Sequence, residues 1–246
     1  MQRFKIFFPV LLLLIGLTAS AQTKKTSPFD KVIVSPYIKV TLVQGDEESV
    51  TVNELHVDSG KLHIEVSDHT LRIYLEGAKD LPKYEKDYSN GYKETHSLYK
   101  NTSVVATITY KKLEALSLRG EEDQLCKSPI NGGKFILKIY GESNVTFNEM
   151  NLDKLAATLY GESTLEIKAG TVKDQKYTCY GEGKINSLAI DGSTSRVTAF
   201  GRANFKLNVT DRIKITSYGE AELYYKGNPY IEKGLNFGDM VINKMD

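Results

Sequence analysis

Apolar and polar residues alternate along short segments in the first half of the chain, as in residues 32–34, 38–43, 62–66 and 71–75. A period of two is typical of β-strands that bury one face. Turn-forming residues separate these segments, and no stretch of similar length repeats with the 3.6-residue period of a helix. The pattern predicts an all-β protein in which helix is nearly absent.

A tripeptide of an aromatic residue, glycine and glutamate recurs through the second half of the chain. Its glycines step by 21, 20, 20, 20 and 18 residues. A fixed period near 20 predicts a β-solenoid, in which each coil buries its apolar face against neighbouring coils. Each coil should consist of a strand, a glycine turn, a second strand and a longer turn. The aligned glycines are Gly120, Gly141, Gly161, Gly181, Gly201 and Gly219.

The positions around each glycine divide the coil into an inner and an outer face. The residues two and four before the glycine, and four after it, are almost all apolar, so they should point into the core. Strict alternation then places the residue directly before the glycine on the outer face. In a parallel stack with strands ~4.8 Å apart, like residues lie above one another. The predicted aromatic ladder, beside a threonine ladder, consists of Tyr140, Tyr160, Tyr180, Phe200 and Tyr218.

The first 21 residues have the pattern of a secretion signal. Arg3 and Lys5 precede the apolar run 6–17, which ends in small residues at 18–21. The run is shorter than the ~20 residues that a spanning helix needs, and no later segment is long enough. We therefore expect cleavage after Ala21 and export to the periplasm or cell surface, with no transmembrane segment in the mature chain.

The rest of the chain contains no proline- and serine-rich linker, which favours one solenoid domain over residues 22–246. Its N-terminal strands, 29–110, should continue the same stack, with a polar, tyrosine-rich surface excursion at 79–101. The glycine-centred repeats occupy 111–226, and 227–246 should form a C-terminal cap.

Charge and cysteine content limit the possible partners. The whole chain has 32 basic and 31 acidic residues, and the mature chain would have 30 against 31. This balance argues against a nucleic-acid partner. Cys126 and Cys179 stand at unlike positions of different repeats, which favours free core thiols over a disulfide.

The glutamates that follow the repeat glycines could form a second row. Stacked carboxylates repel one another unless a cation intervenes, so Glu142, Glu162 and Glu182 could bind Ca²⁺. Arg202 interrupts the row between Glu182 and Glu220, which favours direct charge compensation instead.

The outer aromatic ladder is the other candidate site. Its rings could bind a glycan or an envelope protein. Alternatively, they could serve only to stabilise the solenoid by stacking, or be covered by the excursion at 79–101.

No catalytic signature is present: the sequence lacks a Gly-x-Ser-x-Gly elbow, a phosphate-binding loop and a His-Glu-x-x-His helix, and no cofactor is expected. A non-enzymatic binding or adhesin-like module is therefore the leading hypothesis. A polysaccharide lyase or glycoside hydrolase is the alternative, with paired carboxylates such as Glu142 and Glu162 as acid and base; this rests on fold analogy. A structural role in an envelope assembly is a third.

Several stretches, together with the repeats, resemble the putative auto-transporter adhesin, head GIN domain family of exported bacterial proteins. These stretches read FDKV at 29–32, VTLVQGD at 40–46, GKLHI at 60–64 and YKGNP at 225–229. The resemblance spans nearly the whole mature chain. It implies a right-handed, parallel β-helix-like fold and an adhesin-like or surface role, and it brings no established catalytic residues.

Overall fold

The protein is a β-solenoid in a computed structural model that describes residues 22–81, 84–89 and 92–246. The predicted signal peptide, 1–21, lies outside the described residues. Strands account for 75% of the structure, the coils are about 20 residues long, and the described residues contain no α-helix. The expected all-β solenoid is therefore confirmed.

In the described part of the chain, nine strands precede the glycine-centred repeats. They are β1 (Gln22–Lys25), β2 (Lys31–Val34), β3 (Ile38–Gln44), β4 (Ser49–Leu55), β5 (Leu62–Ser67), β6 (Thr70–Leu75), β7 (Tyr84–Ser89), β8 (Tyr92–Ser97) and β9 (Val104–Tyr110). A 3-10 turn, Ser59–Lys61, precedes β5.

Seven strands form the repeats and the C-terminal end. They are β10 (Ala115–Gly120), β11 (Gln124–Cys126), β12 (Ile130–Gly141), β13 (Asn144–Phe147), β14 (Met150–Ile167), β15 (Gly170–Lys226) and β16 (Tyr230–Lys244). The long strands run around the corners of several coils, which is why β15 covers 57 residues.

The spatial order of the first coils differs from their order along the chain. β6 and β9 form the outermost coil, β2 and β3 lie next to them, and β10 and β11 follow. All these pairings are parallel, as are those of the later coils. After β1, the chain thus forms the second coil with β2 and β3, then the outermost coil with β6 and β9, and then crosses to the third coil.

Antiparallel strands close the N-terminal end of the stack. β5 pairs with β6, β4 pairs with β9, and β1 pairs with the outer edge of β4. This covers the backbone groups that an open parallel edge would expose. β2, β3, β6 and β9 thus continue the stack of coils as predicted, and β1, β4 and β5 cover its end.

The predicted surface excursion leaves the solenoid between β6 and β9, at the corner that the repeat glycines occupy in later coils. It carries an antiparallel hairpin, β7 with β8. Tyr99 after the hairpin is buried, and its hydroxyl donates to the Glu76 carbonyl oxygen at 2.8 Å. The return of this segment to the solenoid is thus fixed by packing.

The three predicted core columns point inward. In the central coils they hold Tyr177, Cys179 and Ile185 and, one coil on, Val197 and Phe205, each with at most 1% of its surface exposed. These residues belong to one continuous hydrophobic core that runs the length of the solenoid. Both cysteines are buried and free, as expected.

The segment 227–246, expected as a cap, contains one further coil. β16 pairs in parallel with β15, and Gly238 lies beside Gly219. Gly238 therefore adds one more member to the column of repeat glycines. Phe237 of this coil is 64% exposed, since no further coil packs on it among the described residues.

Candidate binding face

The aromatic ladder is a continuous stack of six rings on the outside of the solenoid. Consecutive ring centroids from the first to the fifth ring are 4.7–4.9 Å apart with interplanar angles of 1–4°. The sixth ring is 5.6 Å from the fifth and tilted by 16°. The ladder consists of Tyr140, Tyr160, Tyr180, Phe200, Tyr218 and Phe237. The first five are the residues predicted from sequence, and Phe237 was missed.

Parallel pairing produces this geometry. Tyr140 is the register partner of Tyr160, and Tyr160 is the partner of Tyr180. The residue before each glycine therefore repeats at the strand spacing of ~4.8 Å, which is the distance between rings. A one-residue slip would turn the aromatic side chains inward, so burial of the neighbouring core columns also fixes the ladder.

The ladder becomes more exposed towards the C-terminal end. Tyr140 and Tyr160 are half-buried, whereas Tyr180, Phe200 and Tyr218 are exposed. Burial between neighbouring rings raises the pKa of Tyr160, and the adjacent Tyr140 and Tyr180 hydroxyls raise this pKa further. The Tyr160 hydroxyl is therefore neutral at physiological pH and can donate a hydrogen bond.

A cation closes the N-terminal end of the ladder. The Arg119 guanidinium carbon lies 5.7 Å from the centre of the Tyr140 ring, where it makes a cation–π contact. Asp80, at the start of the excursion, forms ion pairs with Arg119 and Arg72. The hydrogen bond from Arg119 lowers the pKa of Asp80 most, and the hydrogen bond from Arg72 lowers it further. In the described residues the excursion is thus anchored at this end, and the C-terminal rings stay exposed.

The glutamate row runs beside the glycine corner. Glu142, Glu162 and Glu182 are all exposed and occupy successive coils. Among the residues that the structure describes, no group of three or more His, Cys, Asp or Glu side chains could hold a metal ion.

Arg202 bridges two members of the row. Its Nε donates to Glu220 Oε2 at 2.8 Å, and a terminal nitrogen donates to Glu182 Oε1 at 3.3 Å. Both glutamates raise the pKa of Arg202, and Glu220 has the larger effect. Direct charge compensation, the alternative raised from sequence, is therefore present between Glu182 and Glu220.

Replacing Arg202 with glutamine should lower the melting temperature slightly in low salt, because Glu182 and Glu220 lose their shared cation. The difference should shrink in 1 M NaCl, where exposed charges are screened. Thermal denaturation at both salt concentrations measures this. Arg196→Gln is the matched control, because Arg196 has no carboxylate partner in the described structure; an equal loss in both variants would contradict the bridge.

The described residues include no helix that is long and apolar enough to cross a membrane.

Solved structures of other proteins share the fold. A putative adhesin from Bacteroides fragilis superposes with a TM-score of 0.74 at 17% identity, over 92% of this chain and 96% of that one. A putative adhesin from Parabacteroides merdae gives 0.65 at 19% identity with the same coverage. A putative lipid binding protein from Parabacteroides distasonis gives 0.66 at 20% identity, again over 92% and 96%. At these identities the likeness shows the fold alone.

No curated protein shows significant similarity to the chain. A family model, in contrast, matches residues 28–229, which is most of the chain and includes every repeat glycine except Gly238. The chain therefore belongs to the family described as putative auto-transporter adhesin, head GIN domain.

Proposed function

We propose that the protein is an exported, non-enzymatic adhesin-like module of the periplasm or cell surface that binds glycan along the aromatic ladder. The observation that carries the proposal is the stack of six rings, exposed along its C-terminal half. Five coil spacings of ~4.8 Å give this stripe a length of about 24 Å, enough for several sugar units. Membership of a family of putative adhesins agrees with a binding role.

The chemistry of the ladder suits a polymer that is both apolar and hydroxyl-rich. Because the rings stack on one another, they present their edges and a row of phenol hydroxyls rather than free faces. In the described structure the hydroxyls of Tyr140, Tyr160, Tyr180 and Tyr218 form no hydrogen bond with protein groups. Ring edges can contact sugar C–H groups while the hydroxyls bond to sugar oxygens.

The neighbouring threonine ladder extends the same surface. Thr158 and Thr178 are register partners, and Thr198 and Thr216 follow in the next coils; all four are half-buried. Both rows lie on one rigid sheet, so binding costs little ordering of the protein. A flat glycan chain could therefore contact two parallel rows of hydroxyls at once.

The ladder variant Tyr180→Thr with Tyr218→Thr tests the proposal. Threonine keeps strand propensity and a hydroxyl but removes the ring. We expect wild-type protein to be retained on a glycan array without releasing products, and the double variant to bind about tenfold more weakly.

Tyr224→Thr is the matched control, because Tyr224 lies on the strand beyond the glycine corner, outside the ladder. Circular dichroism and denaturant unfolding must show that all three proteins are folded. Unchanged binding by the folded double variant would refute the ladder as the site, and release of shortened glycan would refute the non-enzymatic role. Crosslinking of the ladder to an envelope protein in intact cells, without glycan retention, would refute the choice of glycan.

A further inference from the structure

A groove rich in cations runs along the same sheet face, parallel to the aromatic ladder. Its volume is about 560 Å³. Along each strand, the groove residues come first, the threonine ladder follows, and the aromatic ladder comes last, just before the glycine corner. The charged residues that line it are Lys134, Lys154, Asp174, Lys176, Arg196, Arg212 and Lys214.

Most of the positive charge in this groove is uncompensated. Glu232 forms ion pairs with Arg212 and with Lys214, the latter at 2.6 Å. Asp174 accepts a hydrogen bond from the Thr194 hydroxyl at 2.7 Å. In the described residues, no carboxylate forms an ion pair with the remaining cations, which are Lys134, Lys154, Lys176 and Arg196.

The cations stand in columns along the solenoid axis. Lys134 is the register partner of Lys154, and Asp174 follows them in the next coil. Two residues further along the strands, Lys176, Arg196 and Lys214 form a second column on the later coils. Like charges one coil apart repel each other, and a bound anion would relieve this repulsion. The excess is local, because basic and acidic residues are nearly balanced over the chain.

We infer that this cationic groove binds the carboxylate or sulfate groups of an acidic polysaccharide lying along the ladder face. The inference rests on the proposed function and names its ligand class. Lys176 and Arg196 stand four residues before Tyr180 and Phe200 on the same strands, about 13 Å from the ladder. One polymer can therefore place its sugar rings against the ladder and its anionic groups over the groove.

The repetition of the cations favours an anionic polymer over a single small anion. The cations are repeated over several coils, so they match charges repeated along a chain. Arg196 can form a bidentate pair with a planar carboxylate or with two sulfate oxygens. The lysines add charge without fixing geometry, which suits sugars of varied linkage.

The test compares charged and neutral forms of the same polymers. Sulfated dextran is paired with dextran, and polygalacturonate with its methyl ester, in binding measurements at 0.15 M salt and at higher salt. We expect wild-type protein to bind each charged form at least about tenfold more tightly than its neutral partner. The groove variant Lys176→Gln with Arg196→Gln should lose most of this preference and show a weaker salt dependence.

Lys184→Gln with Lys206→Gln is the matched control, because these two lysines lie beyond the glycine corner and line a different depression. The control variant should keep the wild-type preference. An equal loss in the control would reveal diffuse attraction and overturn the groove. Equal wild-type binding of charged and neutral polymers would also overturn it.

The ladder variant separates this inference from the proposed function. If neutral and charged glycans bind equally, and only Tyr180→Thr with Tyr218→Thr weakens binding, the groove is wrong and the ladder stands. If acidic polymers bind through the groove and the ladder variant binds normally, the ladder is wrong and the groove stands. If wild-type protein retains no glycan at all, both are wrong.

Discussion

Replacement of Gly141 with alanine is expected to lower the free energy of unfolding by roughly 4 kcal/mol. Gly141 has a φ of +111°, a conformation that L residues rarely adopt. A Cβ atom there would lie 2.2 Å from the Gly120 carbonyl oxygen and 3.0 Å from its carbon. Because both contacts are backbone atoms of the adjacent coil, no side-chain rotation can relieve them.

Gly133→Ala is the control for this prediction. An added Cβ at Gly133 has no neighbour nearer than 3.8 Å, and the residue lies on the same strand. We expect its effect on stability to stay within about 0.5 kcal/mol. Denaturant unfolding of both variants measures the difference, and similar stabilities would show that the glycine corner tolerates a side chain.

This close approach explains why the solenoid was predictable from sequence. Each corner glycine lies against the glycine of the preceding coil, so every coil from Gly141 onwards needs a residue without a side chain there. Because of this requirement, glycines recur in the sequence at a fixed period. The inner and outer columns beside each glycine then follow from the alternation of side chains along a strand. The five predicted ladder residues were found in this way, because parallel register preserves sequence alignment in space.

Other features leave no such periodic mark. The N-terminal coils have no glycine corner: Pro36 lies over Gly120, and the excursion replaces the corner above it. No periodic pattern therefore indicates that β6 and β9 lie outside β2 and β3. The last coil was missed because the pairing with β15 shifts register between Ile215 and Ser217, and because aspartate follows its glycine.

The cationic groove was not predicted either, although the alternation of side chains along the strands places several of its residues on the outer face. Lys176, Arg196 and Lys214 stand four residues before Tyr180, Phe200 and Tyr218, so they share the outer face with the ladder. The earlier coils have Ile136 and Ala156 at this position, and no repeat motif emerges from such a mixed column. Its charge becomes apparent only when neighbouring columns are brought together in space.

Replacement of Phe205 with alanine should have the second large effect, a loss of about 3–5 kcal/mol. Phe205 has no exposed surface and occupies the core column between Ile185 and Leu223. A solenoid coil packs only on its two neighbours, so the cavity cannot be filled by distant parts of the chain. Unfolding followed by circular dichroism in denaturant measures the loss.

Phe237→Ala is the control, because it makes the same chemical change at a phenylalanine that is exposed. Phe237 is 64% exposed and, among the described residues, stacks only on Tyr218, so its replacement should cost at most about 1.5 kcal/mol. If both variants lost equal stability, the terminal coil would be as tightly coupled as the centre, contrary to a nearest-neighbour stack. The expected contrast instead leaves the exposed end of the ladder free to change without loss of the fold, whereas the central core must be kept for the ladder to exist.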